Sequence, residues 1–199
     1  MSLTKLQAVN RILVACGQKP SNSLEGPTSA TTRMAVAVLE ETDQQVQGEG
    51  WHFNTNPNHT FSADGVTGEV AIPAGTVRFK AYDYQGLTVR GDKLYDRHRG
   101  TFDIGQAVTG CLVLYIDFDE LPEQAKEYIT CRAARKMYTR TVGSQDSARA
   151  LALEESQARG ALINHDIEEG QYTMMDDPTF PWITGSHYLP ATVRKAPRY

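Results

Sequence analysis

Leu6, Val9, Leu13 and Cys16 recur at three- and four-residue spacing, which places them on one face of a helix. This predicts a helix over 3–16, capped by Ser2 and closed by Gly17. Lys19-Pro20-Ser21-Asn22 then breaks the chain. Met34, Val38, Leu39 and Val46 form a second stripe and predict a longer helix over 29–49. It is opened by Pro27-Thr28-Ser29 and ended by Gly48 and Gly50, with Trp51 following as an apolar anchor. From His52 the period changes. Turn residues crowd in, and Val77-Arg78-Phe79-Lys80-Ala81 alternates as a half-buried strand does. Leu87–Arg90 and Lys93–Asp96 flank Gly91-Asp92, a hairpin signal. The apolar run from Cys111 to Ile116 is the candidate central strand.

The helical period returns after Asp117. Leu121, Ala125, Ile129, Ala133 and Met137 repeat every four residues and predict a helix over 122–141. Pro122 stands at its first position, where a missing N–H costs nothing. Val142-Gly143 breaks it, and Ser144 caps a fourth helix over 145–169 with Ala148, Leu151, Ala158 and Leu162 inward. After Gln171 no period holds. The fold class that follows is α+β. Residues 1–51 and 118–172 form a discontinuous, four-helix bundle-like domain. Residues 52–117 form an inserted small antiparallel β domain, and 173–199 an extended C-terminal tail.

Composition adds limits. The 199 residues are 40% hydrophobic and 22% charged, and 25 are Gly or Pro, values of an ordinary globular chain. A net charge of −4 disfavours a strongly basic nucleic-acid binder. Cys16, Cys111 and Cys131 are odd in number and widely spaced, so no disulfide framework or Cys-rich zinc site follows. The start lacks the charged-then-apolar pattern of a secretion signal. No run approaches the ~18 apolar residues of a membrane span. The expectation is a protein of a reducing compartment without membrane insertion.

Specific chemistry is sparse. None of His52, His59, His98, His165 and His187 has metal-ligand spacing, and no phosphate-binding loop or nucleophile elbow occurs. No catalytic residue, cofactor or metal is assigned. Asp117-Phe118-Asp119-Glu120 is a carboxylate cluster, but it stands before a helix N-terminus, where acids are stabilising on dipole grounds. Arg90-Gly91-Asp92 falls where a hairpin turn wants Gly-Asp. Asn58-His59-Thr60 is a sequon without a secretion signal. Arg132, Arg135, Lys136 and Arg140 form a basic row that can meet phosphates or a partner. The following helix offers Glu154, Glu155, Glu168 and Glu169 for pairing between helices or subunits. In the tail, Phe180, Trp182, Ile183, Tyr188, Leu189 and Val193 are costly to leave in water. Aromatic anchors on a Pro-rich segment suggest docking, which makes Trp182 and Tyr188 partner-binding candidates beside the basic row.

Several segments together resemble the tail tubular protein A family of short-tailed, podovirus-type bacteriophages. They are Ala8-Val9-Asn10-Arg11-Ile12-Leu13 with Gly17, Pro20 and Ser23-Leu24-Glu25-Gly26; Gln45 through Asn54 around Gly50-Trp51; Leu94-Tyr95-Asp96-Arg97; Asp117 through Glu123; Ala133-Ala134-Arg135-Lys136; and Tyr172 with Met174-Met175-Asp176. Their order and spacing carry the resemblance across residues 6–177, and the loop 56–68 and the segment after Asp177 match least. The resemblance implies a structural, non-enzymatic virion protein, made in the host cytoplasm and placed in the tail. It implies an adaptor or gatekeeper ring of twelve subunits between the portal and the nozzle protein, with tail fibres docking nearby. Genomic double-stranded DNA would pass through the channel without specific binding. It also implies a helical domain plus a small β domain, as the pattern predicts independently. Two other functions are weighed against it. One is a tail-associated glycan hydrolase using Asp117, Asp119 and Glu120 with Asp103. The other is a DNA-binding head-completion protein using the face from Arg132 to Arg140.

Overall fold

The computed structural model describes residues 2–26, 28–82 and 84–170. The expected tail, 173–199, lies outside the described residues. In chain order the elements are α1 (Lys5–Ala15), α2 (Ala30–Gln47), β1 (Thr55–Phe61), β2 (Thr76–Ala81), β3 (Leu87–Arg90), β4 (Lys93–Asp96), β5 (Val108–Leu114), α3 (Glu123–Thr141) and α4 (Gln145–Gly170). Short 3-10 turns precede β1 (His52–Asn54) and α3 (Phe118–Glu120). The α+β class holds.

Thr4, not Ser2, caps α1. Its hydroxyl accepts from the Gln7 N–H, and the Gln7 side chain accepts from the Thr4 N–H, a reciprocal cap that satisfies two exposed donors. Ser2 is occupied elsewhere, accepting from the Lys126 ammonium at 2.8 Å. Ser29 caps α2 through its hydroxyl. Met34, expected in the core, is 37% exposed. The inward face of α2 runs through Ala35, Leu39, Thr42 and Val46, and Met34 stands to one side of it. Pro122 occupies the cap of α3 rather than its first turn, with an extended ψ of 149°. Its carbonyl accepts from Ala125 and Lys126.

α3 is the helix on which α1, α2 and α4 pack. Ala125, Tyr128, Ile129, Ala133 and Met137 are at most 1% exposed, so the four-residue stripe read from the sequence is this contact face, widened by Tyr128. One apolar core joins Val9, Ile12 and Leu13 of α1, Leu39 and Val46 of α2, this α3 face and Leu162 of α4.

A second core gathers Phe61, Val70, Ile72, Phe79, Leu94, Val108 and Leu112. β5 lies between β1 and β2, antiparallel to both. Gly110 makes this possible, since a Cβ there would stand 2.3 Å from the Lys80 carbonyl oxygen. The hairpin β3–β4 turns at Gly91, φ +63°, a value that favours glycine. It forms a sheet of its own rather than joining the three-stranded one, and residues 69–72 bridge its β4 edge. Lys93 bridges Ala71, and the Leu94 N–H donates to the Val70 carbonyl. Asp96 fixes the return, accepting from the His98 and Arg99 N–H groups and the Tyr84 hydroxyl.

Ile129 sits at the centre of the helical core, fully buried. Ile129→Ala is expected to cost about 2–5 kcal/mol in urea unfolding. A loss below about 0.5 kcal/mol would contradict a close-packed α3 face.

Candidate functional site

The basic row of α3 is held in place from both sides. Arg132 donates to Glu49 at 3.2 Å and to the Tyr128 hydroxyl at 3.0 Å. Arg159 of α4 donates to the same two groups, at 3.3 and 2.9 Å. Arg135 pairs with Glu155. Lys136 lies 3.6 Å from Glu41, and Arg140 donates to Glu41 at 3.2 Å. Of the α4 carboxylates anticipated as partners, only Glu155 meets the row; Glu41, inside α2, and Glu49, just after it, take the other three cations. Arg140, helped by Lys136, holds the Glu41 carboxyl below the usual carboxylate range. Burial lowers the Lys136 ammonium against the pull of Glu41. Every cation of the row therefore has a carboxylate beside it, but Glu41 serves two of them and Glu49 is shared with Arg159, so the pairing lowers the positive charge of this face without cancelling it; that weakens it as a grip on phosphates.

The acidic cluster has a structural task as well. Asp119 Oδ1 accepts from the Lys5 N–H at 3.0 Å, and both Glu123 oxygens accept from the Leu3 N–H. These acids satisfy the start of α1, where unpaired N–H groups and the helix dipole favour negative charge. Spacing in the sequence could only point to the start of α3. Asp117, Asp119 and Glu120 also line a cavity of about 290 Å³ with Lys5, Glu40, Asp43 and Tyr115. Asp103 does not line it; that residue bridges Glu69 beside the second core. The four carboxylates weighed for hydrolysis are thus not one constellation.

Asp43 is the residue that sequence reasoning missed. It is 2% exposed, accepts from Tyr115 Oη at 2.6 Å and Gln47 Nε2 at 2.8 Å, and burial raises its pKa despite both donors. Its signal was available: Asp43 and Gln47, four apart, stand beside Leu39 and Val46 on the apolar face of α2. Gln47 in turn pairs with both backbone groups of Ile116, its Nε2 donating to the carbonyl and its Oε1 accepting from the N–H, each at 2.8 Å.

The remaining candidates resolve simply. The Arg90 guanidinium lies 3.8 Å from the Tyr95 ring centroid at the hairpin. His59 stacks edge-on against Phe61. Among the described residues, no three His, Cys, Asp or Glu side chains are placed to hold a metal ion, and no helix is long and apolar enough to cross a membrane. Trp182 and Tyr188 lie outside the described residues.

Two measurements follow. Tyr128→Phe removes an acceptor shared by two guanidinium groups and is expected to cost about 1–2 kcal/mol in chemical unfolding; no change would show that Glu49 alone holds both arginines. Asp43 concerns pH. Its folded pKa is raised, so folding takes up a proton once the unfolded carboxyl has ionised, and stability falls as pH rises from about 4 through the folded value. Asp43→Asn, neutral throughout, is expected to flatten that slope in urea unfolding above about pH 4. An unchanged slope would refute the assignment.

Comparison with curated proteins returns no match. The family model described as tail tubular protein matches residues 6–172, which takes in all four helices and both sheets. The chain belongs to the tail tubular protein family and is a structural component of a bacteriophage tail.

Proposed function

We propose that this tail protein is the adaptor, or gatekeeper, of a short phage tail. Twelve copies form a ring between the portal and the nozzle protein, with tail fibres nearby, and the genome passes through during ejection. The observation that carries the reading is the family match over 6–172. The unit is divided as a helical part, 1–51 and 118–172, an inserted β part, 52–117, and a tail, 173–199. Two separate apolar cores support that division. They give the subunit unlike ends, as a ring between unlike partners requires.

Charge supports a lumen that lets DNA slide. At −4 per chain, a ring carries a strongly negative total, and the four α3 cations are each paired with one of three carboxylates of their own chain. A channel that gripped phosphates would hold the genome back.

Electron microscopy of the full chain mixed with portal is expected to show a twelve-fold ring seated on it. A chain that leaves the portal bare, or a ring of other symmetry, overturns the adaptor reading. The hydrolase alternative has its own test. Asp119→Asn keeps an oxygen to accept from Lys5, so the fold should survive. If the purified chain cleaves a cell-envelope glycan and this variant does not, the cluster is catalytic.

A further inference from the structure

α4 carries two apolar faces. The inner one, with Leu151, Ala158 and Leu162, meets α3. On the opposite side Leu153, Ser156, Gly160, Ile163 and Ile167 follow at steps of three, four, three and four residues, the spacing of a helix-packing seam. Leu153 is 62%, Ile163 40% and Ile167 49% exposed, so little among the described residues covers them. The seam is ~21 Å long at 1.5 Å per residue.

Gly160 is the second observation. It sits inside a helix, where glycine weakens the fold, and a Cβ there would meet nothing within 4 Å. Among the described residues nothing gives a reason for it. With Ser156 it leaves a shallow place in mid-seam, where another backbone can come close.

Charge indicates what comes there. At the head of the seam stands Arg149, its side chain 80% exposed and its one ion partner Asp146 at 4.0 Å, itself 99% exposed. An open groove of about 870 Å³ runs between α1, α3 and α4, lined by Val14, Ala15 and Leu151 with Glu127 and Glu154. Val14 is 58% exposed. Arg11 pairs with Glu127, while Glu154 has no ion-pair partner among the described residues. The seam thus presents aliphatics and an exposed cation paired only at 4.0 Å with Asp146, and the groove aliphatics and an anion with no ion-pair partner among the described residues.

We propose that the outer seam of α4 packs into the α1–α3–α4 groove of a second copy of this chain, with Arg149 of one copy meeting Glu154 of the next. Seam and groove are different surfaces, so each copy gives one and receives one, a head-to-tail contact that closes a ring when the rotation allows. DNA is a poor occupant, since three large aliphatics and one cation do not match a phosphate backbone. The proposal rests on the ring reading above and names its lateral contact.

The test uses the full chain in assembled tails. A photo-crosslinking residue at Ile163 is expected to give homodimers whose second site maps near Val14. Gly160→Leu, which has open space around it, is expected to keep helical content and melting temperature while incorporation into tails falls about tenfold or more. Arg149→Glu should also lower incorporation, and Arg149→Glu with Glu154→Arg should restore it. Adducts to a different virion protein, or full incorporation of Gly160→Leu, overturn the proposal. Particle symmetry separates the two readings. Self-adducts in an open stack sink the ring and keep the seam. A twelve-fold ring that admits Gly160→Leu and gives no Ile163 self-adduct sinks the seam and keeps the ring.

Discussion

The chain leaves its helices once, after α2, and returns once, before α3, and a single side chain holds both crossings. The Gln47 amide pairs with the N–H and carbonyl of Ile116 as a neighbouring strand would. The Gln47 carbonyl accepts from Asn54 Nδ2, Asn54 Oδ1 accepts from the Trp51 N–H, and the Trp51 indole donates to the Val46 carbonyl. Gln47 is fully buried. Removing one partner from such a network leaves a buried polar group unsatisfied, which costs about 1–3 kcal/mol, so the members stand or fall together. The 60-odd residues between the crossings fold around their own core with their ends held together here, and the junction's contacts offset the closure entropy of so long a loop, which grows only slowly with length.

Within the helices, apolar packing outweighs the ion pairs. The α3 face buries Tyr128, Ile129 and Met137 essentially completely, each contributing about 1.5–3 kcal/mol. The exposed pairs on the same helix are worth about 0–1 kcal/mol apiece. The pairs do something else. Glu49 ties the end of α2 to α3 and α4 through Arg132 and Arg159, so three helices are held in register next to the Gln47 junction. Their effect is on orientation more than on stability.

The helices and the hairpin were legible because their signals are local. A four-residue apolar period marks α3 whatever surrounds it, and Gly91-Asp92 between two alternating runs marks a turn. The site was less legible because its contacts are distant in sequence. Asp119 reaches the start of α1 and Asp43 reaches Tyr115, and no spacing rule connects such positions. The hairpin's separation into its own sheet was hidden because its edge partner, Glu69 to Ile72, alternates outward and buried positions over only four residues and lies some twenty residues away in sequence. Met34 shows the opposite error. An apolar residue near the right period was read as core, yet Ala35, which has less side chain to advertise itself, holds the inward position.

The Asp43 carboxylate has a physical use that stability alone does not explain. A buried acid with a raised pKa costs free energy at neutral pH, and a Leu in its place would avoid that cost. What Leu cannot do is accept from Tyr115 and Gln47 at once. By accepting from both, Asp43 orients the Gln47 amide so that its Nε2 also faces the Ile116 carbonyl and its Oε1 faces the Ile116 N–H. It also anchors the strand end that precedes Ile116 through Tyr115. A flipped amide would set donor against donor at the Ile116 N–H and acceptor against acceptor at the Ile116 carbonyl and the Asp43 carboxylate, so the acid selects one of two near-isosteric arrangements. The stability given up at Asp43 goes into a single, fixed angle between the helices and the β layer. A protein that assembles into a phage tail in many copies needs that angle to be the same in each.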